Sequence, residues 1–212
     1  MNPTLLVVAK APVPGLAKTR IGQVTGHARA AEIAAAALLD TLATASATGW
    51  PVVVAMTGQL DQAARRDEIA AALAHTRVVP QRGEGFGERL ANAHLDADAG
   101  LGVVQVGMDS PQVTVEDYAQ AAAALRRGST VLGPASDGGW WLLGVQRGSD
   151  AAPLPRVEMS RADTAEQTIA ALGGEVDLLR TLTDIDTWAD VLAVAAELPG
   201  SHLARSVQEV AA

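Results

Sequence analysis

Leu5-Leu6-Val7-Val8-Ala9, followed by Lys10-Ala-Pro-Val-Pro-Gly-Leu-Ala-Lys18-Thr19-Arg20, is the stretch from which the fold follows. A short unbroken apolar run of this kind, at residues 4–9, reads as a strand buried on both faces. Residues 10–24 read as the loop after it. Its first eleven residues hold two prolines, a glycine, two lysines and an arginine. The chain has sixteen Lys and Arg residues, of which only Lys10 and Lys18 are lysine. Lysine is a compact, rotatable point charge suited to a phosphate oxygen. Two of them at the carboxyl end of a first strand suggest a phosphate-handling loop; a solvated basic turn is the alternative.

Outward from this stretch, strands alternate with helical patterns. Apolar runs predict strands at 51–56, 75–80, 102–106, 130–133, 140–145 and 175–179. Helical spacing predicts helices at 28–47, 61–74, 87–98, 115–127, 163–172 and 188–197. Thr114 with Asp117, Asp163 with Glu166, and Thr187 with Asp190 have the spacing of N-terminal capping boxes. Asp137-Gly138-Gly139 between two short strands predicts a hairpin. Residues 146–162 read as irregular and the final dozen as loosely held. Alternating strands and helices argue for an α/β fold with a mostly parallel sheet covered on both faces. Ligands in such folds bind outside the carboxyl ends of the strands. The loops at 10–20, 81–87, 107–111, 134–139 and 181–186 all begin where a strand ends, and that convergence predicts an active site.

Composition narrows the classes. At 212 residues the chain fits one α/β domain over 1–212. Its net charge of −8 argues against a general nucleic-acid binder and fits a small anionic ligand met by a local basic loop. Without cysteine there is no disulfide, no thiolate nucleophile and no Cys-based zinc site. The N-terminal apolar run is too short for a signal peptide, and no segment is expected to span a bilayer, so a cytoplasmic location is the expectation.

Each motif has a chemical and a plain reading. Gly15-Leu-Ala-Lys18-Thr19 differs from a P-loop. Ala17 replaces the glycine before the lysine, and Pro12 and Pro14 lack the N–H groups such a loop uses. A loop clamping phosphates by side chains, through Lys10, Lys18 and Arg20, is the alternative. Gly83, Gly85 and Gly87 follow the third strand rather than the first, and Glu88 stands where the dinucleotide fingerprint continues. This run could let a nucleobase lie against backbone with Gln81 at its edge, or be a flexible helix entry. Asp109 lies past a strand end, and Thr114 already serves as the helix cap. A free carboxylate there suits Mg²⁺, which takes one or two carboxylates plus substrate phosphates. Asp184 or Asp186 could complete the site, or both could lie in a solvated turn. Asp137 is either a turn former or an acceptor-binding residue. Trp140 and Trp141, on adjacent strand positions, should face opposite ways, so at most one lines a pocket. His27, His75, His94 and His202 show no ligand or triad spacing, and Ser110 has no positioned His partner.

In order, Ala9-Lys-Ala-Pro-Val-Pro-Gly-Leu-Ala-Lys-Thr-Arg20, Gly87-Glu-Arg-Leu90, Gly107-Met-Asp-Ser-Pro111, Gly133-Pro-Ala-Ser-Asp-Gly-Gly-Trp-Trp-Leu-Leu-Gly144 and Asp184-Ile-Asp-Thr187 resemble the DUF2064 family. That family belongs to the GT-A-like nucleotide-diphospho-sugar transferase superfamily and is similar to the molybdenum-cofactor and phospholactate guanylyltransferases. The resemblance implies a three-layer α/β/α, Rossmann-like GT-A fold with a mostly parallel mixed sheet. It implies a nucleotide or nucleotide-sugar donor held by Lys10, Pro14, Gly15, Lys18, Gln81, Gly87 and Arg89, and a small-molecule acceptor. It implies Mg²⁺ or Mn²⁺ at Asp109, with Asp186 as second ligand, and catalytic parts for Lys18, Arg20, Asp109 and Asp137. Met159-Ser160 stands where Trp-Ser is usual and Trp140-Trp141 where tyrosines are usual. The glycine-rich start with Arg-Met-Gly of a typical nucleotidyltransferase is absent. Three readings follow: nucleotidyl transfer from an NTP to a phosphorylated acceptor, glycosyl transfer from a nucleotide-sugar, or nucleotide binding without turnover.

Overall fold

A computed structural model describes residues 2–208. Strand β1 spans Thr4–Lys10, β2 Val52–Thr57, β3 Arg77–Pro80, β4 Val103–Gly107, β5 Thr130–Pro134, β6 Trp140–Val145 and β7 Val176–Leu178. They form a seven-stranded sheet in the order β3-β2-β1-β4-β6-β5-β7. β6 runs antiparallel to both β4 and β5, and the other pairings are parallel. Helices are α1 (Thr19–Thr25), α2 (His27–Ala47), α3 (Arg66–Leu73), α4 (Phe86–Ala97), α5 (Val115–Arg126), α6 (Thr164–Leu172), α7 (Trp188–Glu197) and α8 (His202–Gln208).

The layers follow from strand alternation. On β1, Leu5, Val7 and Ala9 join one apolar cluster with Leu38 and Leu42 of α2 and Tyr118 of α5. Leu6 and Val8 join the opposite cluster with Leu90 and Ala93 of α4. A third cluster, with Ile21, Ile33, Val191 and Leu203, binds α1, α2, α7 and α8 together. Alanine dominates the buried face of α2, which lets the helix lie close on the sheet. The chain leaves β1 toward β2 and later enters β4 on β1's other side. The sheet order therefore reverses between β1 and β4, and a crevice opens at their carboxyl ends.

The architecture is the expected three-layer α/β/α fold, with corrections in detail. The 10–24 stretch is not all loop, since α1 occupies its second half. No Ser, Asp or Asn marks that helix start; its N-cap is Lys18, with no side-chain cap bond. The expected helix at 61–74 is a 3₁₀ turn at Leu60–Gln62 followed by α3, with Arg65 in left-handed conformation between them. The capping boxes at Thr114–Asp117 and Thr187–Asp190 are present, whereas Asp163 makes no side-chain cap bond at α6. The C-terminal segment is not loosely held as far as residue 208. Asp40 on α2 accepts hydrogen bonds from the backbone N–H groups of His202 (2.8 Å) and Leu203 (2.9 Å), which docks α8. Residues 209–212 lie outside the described residues. Among the described residues α2 has the length and apolarity to cross a membrane, but 67% of its most apolar window is buried inside the fold, as in a core helix.

Candidate active site

Two adjoining hollows open at the reversal between β1 and β4. The first, about 440 Å³, is lined by Lys10, Lys18, Arg20, Asp109, Asp137 and Asp186, together with Leu16, Ala17, Thr19, Ala34, Met108 and Ser160. The charged residues meet there from the end of β1 (Lys10), the start of α1 (Lys18, Arg20), the segment after β4 (Asp109), the turn before β6 (Asp137) and the segment before α7 (Asp186).

Lys18 is the centre of this cleft. It holds a left-handed backbone (φ 47, ψ 49), an uncommon conformation for a residue with a side chain. Its Nζ lies 2.9 Å from Asp109 Oδ2 and 3.4 Å from Asp186 Oδ1, and donates to the Ile185 carbonyl. The Lys18 side chain is 10% exposed, whereas those of Asp109 and Asp186 are 41% and 47% exposed. The ammonium is thus enclosed and both carboxylates open to the cleft. Burial works to depress the Lys18 ammonium, but the charges of Asp109, Asp186 and Asp184 prevail and hold it above the usual lysine range. Arg20, 75% exposed at the rim, reaches Asp186 Oδ2 at 3.4 Å.

The carboxylate loop is fastened by backbone contacts. Ile185 N–H donates to the Asp109 carbonyl at 3.1 Å, Leu182 N–H to Pro134 at 3.1 Å, and the Gln112 amide to Thr183 at 2.6 Å. Asp184 and Asp186, two residues apart, then diverge. Asp186 meets Lys18, while Asp184 Oδ1 accepts from the Ser110 hydroxyl at 2.8 Å. Burial, aided by the charges of Asp109 and Asp137, pushes the Asp184 carboxyl up to about 6, against the Ser110 bond and Lys18. Asp137 serves the turn, its Oδ1 accepting from Gly139 N–H at 2.8 Å, and also borders the cleft.

The second hollow, about 240 Å³, shares Lys10, Met108 and Asp109 with the first and extends past Thr57, Gln81, Phe86, Gln105, Ser110 and Asp184. Gln81 commits its amide N–H groups to the carbonyls of Ala9 (2.9 Å) and Ala55 (3.0 Å), which leaves its oxygen as the group able to meet a ligand. Trp141 is buried in the core, its indole N–H donating to Arg180 at 3.0 Å, and Trp140 is half-buried. Both border this hollow, although alternation expects only one to do so. The hollow meets the start of β6, where the two residues follow one another.

Pro14 and Gly15 form the outer turn of the basic loop and line neither hollow. Gly87 packs its backbone against the Leu154 carbonyl, and Arg89 folds back over Phe86 and onto the Glu84 carbonyl. The structure does not bring these four to the cleft lining. Two contributors escaped sequence reasoning: Gln105, a polar residue inside an apolar strand, and the Ser110–Asp184 pair, joined across 74 residues of sequence. Gln105 left one signal, its place in an apolar strand.

As a cation site, the donor set is two hard carboxylates that converge on one ammonium. That suits Mg²⁺ or Mn²⁺ completed by ligand oxygens. No cluster of three or more His, Asp or Glu arranged to hold a metal ion occurs among the described residues. A cation held by these two carboxylates would need further ligands from outside the described residues.

The fold is that of the nucleotide-diphospho-sugar transferase-like class, whose fold nucleotidyltransferases share. A protein from Desulfovibrio desulfuricans with the provisional name nucleotide-diphospho-sugar transferase is 25% identical, with a TM-score of 0.84 over 99% of this chain and 95% of that one. Within the class, the chain belongs to the family described as "Uncharacterized protein conserved in bacteria (DUF2064)", which matches residues 39–161. The Rv0371C protein of Mycobacterium tuberculosis, solved in complex with manganese, is 17% identical, with a TM-score of 0.58 over 92% of this chain and 98% of that one. The 4-diphosphocytidyl-2C-methyl-D-erythritol synthase of Anaerococcus prevotii is 14% identical, with a TM-score of 0.62 over 93% and 98%. No curated protein matches the chain by sequence.

Proposed function

We propose that this chain is a divalent-cation-dependent transferase that moves a nucleotidyl group from an NTP to a phosphorylated small molecule, releasing pyrophosphate. One observation carries the reading: Lys18 Nζ sits within 3.4 Å of both Asp109 and Asp186 at the mouth of the sheet reversal. Groups that bind a cation and groups that bind an anion meet there at one point. The neighbours' names support it. One is a diphosphocytidyl synthase, and another was solved with manganese.

In this reading Lys10, Lys18 and Arg20 receive the triphosphate, and Asp109 and Asp186 hold Mg²⁺ or Mn²⁺. When bound, the cation neutralises charge on the donor's phosphate oxygens. The hollow beyond Lys10 takes the base, with the Gln81 oxygen accepting from its edge and Phe86 beside it. An acceptor phosphate oxygen attacks the α-phosphorus; the bond from that phosphorus to the β-phosphate's bridging oxygen breaks and pyrophosphate departs. Lys18 and Arg20 stabilise charge gathering on the leaving group. The chemistry is positioning and electrostatics and needs no side-chain nucleophile.

The name of the Desulfovibrio relative favours a second reading, glycosyl transfer from a nucleotide-sugar, with Asp137 as base. Thermal shifts with NTPs and nucleotide-sugars, with and without Mg²⁺ or Mn²⁺, separate the two, because stabilisation follows ligand affinity. An NTP is expected to raise Tm more with the cation than without, and Asp109→Asn to remove the cation-dependent part. Stabilisation by nucleotide-sugars alone overturns nucleotidyl transfer. Nucleotide binding indifferent to the cation leaves a non-catalytic binding protein.

A further inference from the structure

Lys18 is placed to do two incompatible things. The proposed function gives it to the donor's phosphates, yet in the structure its ammonium is spent on Asp109, Asp186 and the Ile185 carbonyl. Those two carboxylates are the ones that would hold the cation. The lysine reaches them from inside, on an enclosed side chain, while their outer faces open to the cleft. A divalent ion arriving there meets a fixed positive charge already sharing its ligands.

We infer that Lys18 is a resident counter-cation which keeps the divalent ion out of the Asp109–Asp186 site until a polyphosphate draws the ammonium away. The inference rests on the proposed function and adds a coupling to it. The site exchanges one cation for another, so the paired, half-exposed carboxylates are not left without a counter-charge at either stage. Only the flexible Lys18 stem has to turn, because the backbone of the carboxylate loop is anchored separately through Ile185 N–H on Asp109 and the Gln112 amide on Thr183. Lys10 and Arg20 line the same cleft and supply the first attraction for the anion. Linkage then requires reciprocity. Whatever factor the nucleotide adds to metal affinity, the metal adds to nucleotide affinity. A metal bound without its nucleotide would be an idle state, and the lysine disfavours it.

The test measures Mn²⁺ binding to the whole chain by water-proton relaxation or calorimetry, with and without a non-hydrolysable NTP. Wild type is expected to bind Mn²⁺ weakly alone and at least tenfold more tightly with the nucleotide analogue. Lys18→Met, nearly isosteric and uncharged, is expected to bind Mn²⁺ alone at least tenfold more tightly than wild type and to lose most of the nucleotide's enhancement. Lys18→Arg keeps the charge and is expected to stay weak. Asp109→Asn in the Lys18→Met background should abolish the gain, which ties it to this site. Folding of each variant is checked by circular dichroism and Tm. Should Lys18→Met misfold, Lys18→Gln carries the same expectation. A folded Lys18→Met or Lys18→Gln protein whose metal affinity without nucleotide equals or falls below that of wild type overturns the inference. Metal binding that tightens in Lys18→Met while no nucleotide binds any form of the protein would uphold the counter-cation and refute the nucleotide reading.

Discussion

His94 shows how much one side chain can depend on its surroundings. It lies on α4, fully buried near Gln105, with neither ring nitrogen nor the Gln105 side-chain oxygen making a close hydrogen bond. Burial pushes the imidazole down to about 4, against a weaker opposing pull from Gln105 and Asp98. The folded chain therefore holds a neutral ring where the unfolded chain, with an ordinary histidine near 6.5, takes a proton. Stability from this group is fully present above 6.5 and is lost as pH falls from 6.5 toward 4. At about 1.4 kcal/mol per pH unit the loss is roughly 3 kcal/mol. Urea titrations at pH 7 and pH 4.5 should show His94→Leu losing less stability over this interval than wild type. Equal losses would mean the ring charges in the folded state. Nothing in the sequence distinguishes His94 from His27, His75 and His202. Its burial is a fact of tertiary packing.

At the scale of elements, the docking of α8 is the clearest case of a cap supplied from afar. Asp40 belongs to the Ala-rich face of α2 and is a charged residue among buried ones. Both its oxygens accept from the first N–H groups of α8, 162 residues away, and so occupy the helix N-terminus as a local Asp or Ser would. Asp40→Ala should destabilise the fold by about 2 kcal/mol, from the lost charge-assisted bonds to His202 and Leu203 N–H, although Ser201 Oγ still accepts from Ala204 N–H at 2.9 Å. Hydrogen exchange should speed up first in α8. The hairpin turn gives the steric counterpart. Gly138 has φ +89, and a Cβ there would strike the Ala162 carbonyl, while Ala165 N–H donates to the Gly138 carbonyl at 2.8 Å. Gly138→Ala should lower Tm by several degrees and shift Asp137 and Ser160 at the cleft; an unchanged Tm would show that the 160–165 segment yields freely. Asp-Gly-Gly announced the turn, but the close approach behind it left no trace in the sequence.

Across the whole molecule, one cross-link secures the carboxylate loop. Arg180 donates to Asp117 through Nε (2.8 Å) and an amino group (2.7 Å), and to the Gln112 carbonyl at 3.0 Å; its own carbonyl accepts from Trp141. It joins α5, β6 and the segment that carries Asp184 and Asp186. Burial acts to raise the Asp117 carboxyl, yet Arg180 and Thr114 outweigh it and hold it below the usual aspartate range. This contribution is therefore present above pH 4 and is lost as pH falls through the lower folded value. Arg180→Met should cost about 1 kcal/mol after solvent screening, steepen no acid transition, and weaken Mn²⁺ binding in the presence of nucleotide by loosening the loop. Stability lost with metal affinity intact would separate the cross-link from the site.

What the sequence determined was whatever depends on neighbours along the chain. The apolar run at Leu5–Ala9, the alternation of strands and helices, the caps at Thr114 and Thr187, and the basic loop required only periodicity and local hydrogen bonding. Their order also placed Lys18 and Asp109 at strand ends that a parallel sheet brings together. The tertiary structure alone decided which of Asp184 and Asp186 meets Lys18, that Gly87 and Arg89 line neither hollow, and that α1 forms without a sequence cap. Those outcomes depend on contacts between residues far apart in sequence, where packing and charge act through space and one chain position carries no record of its partner.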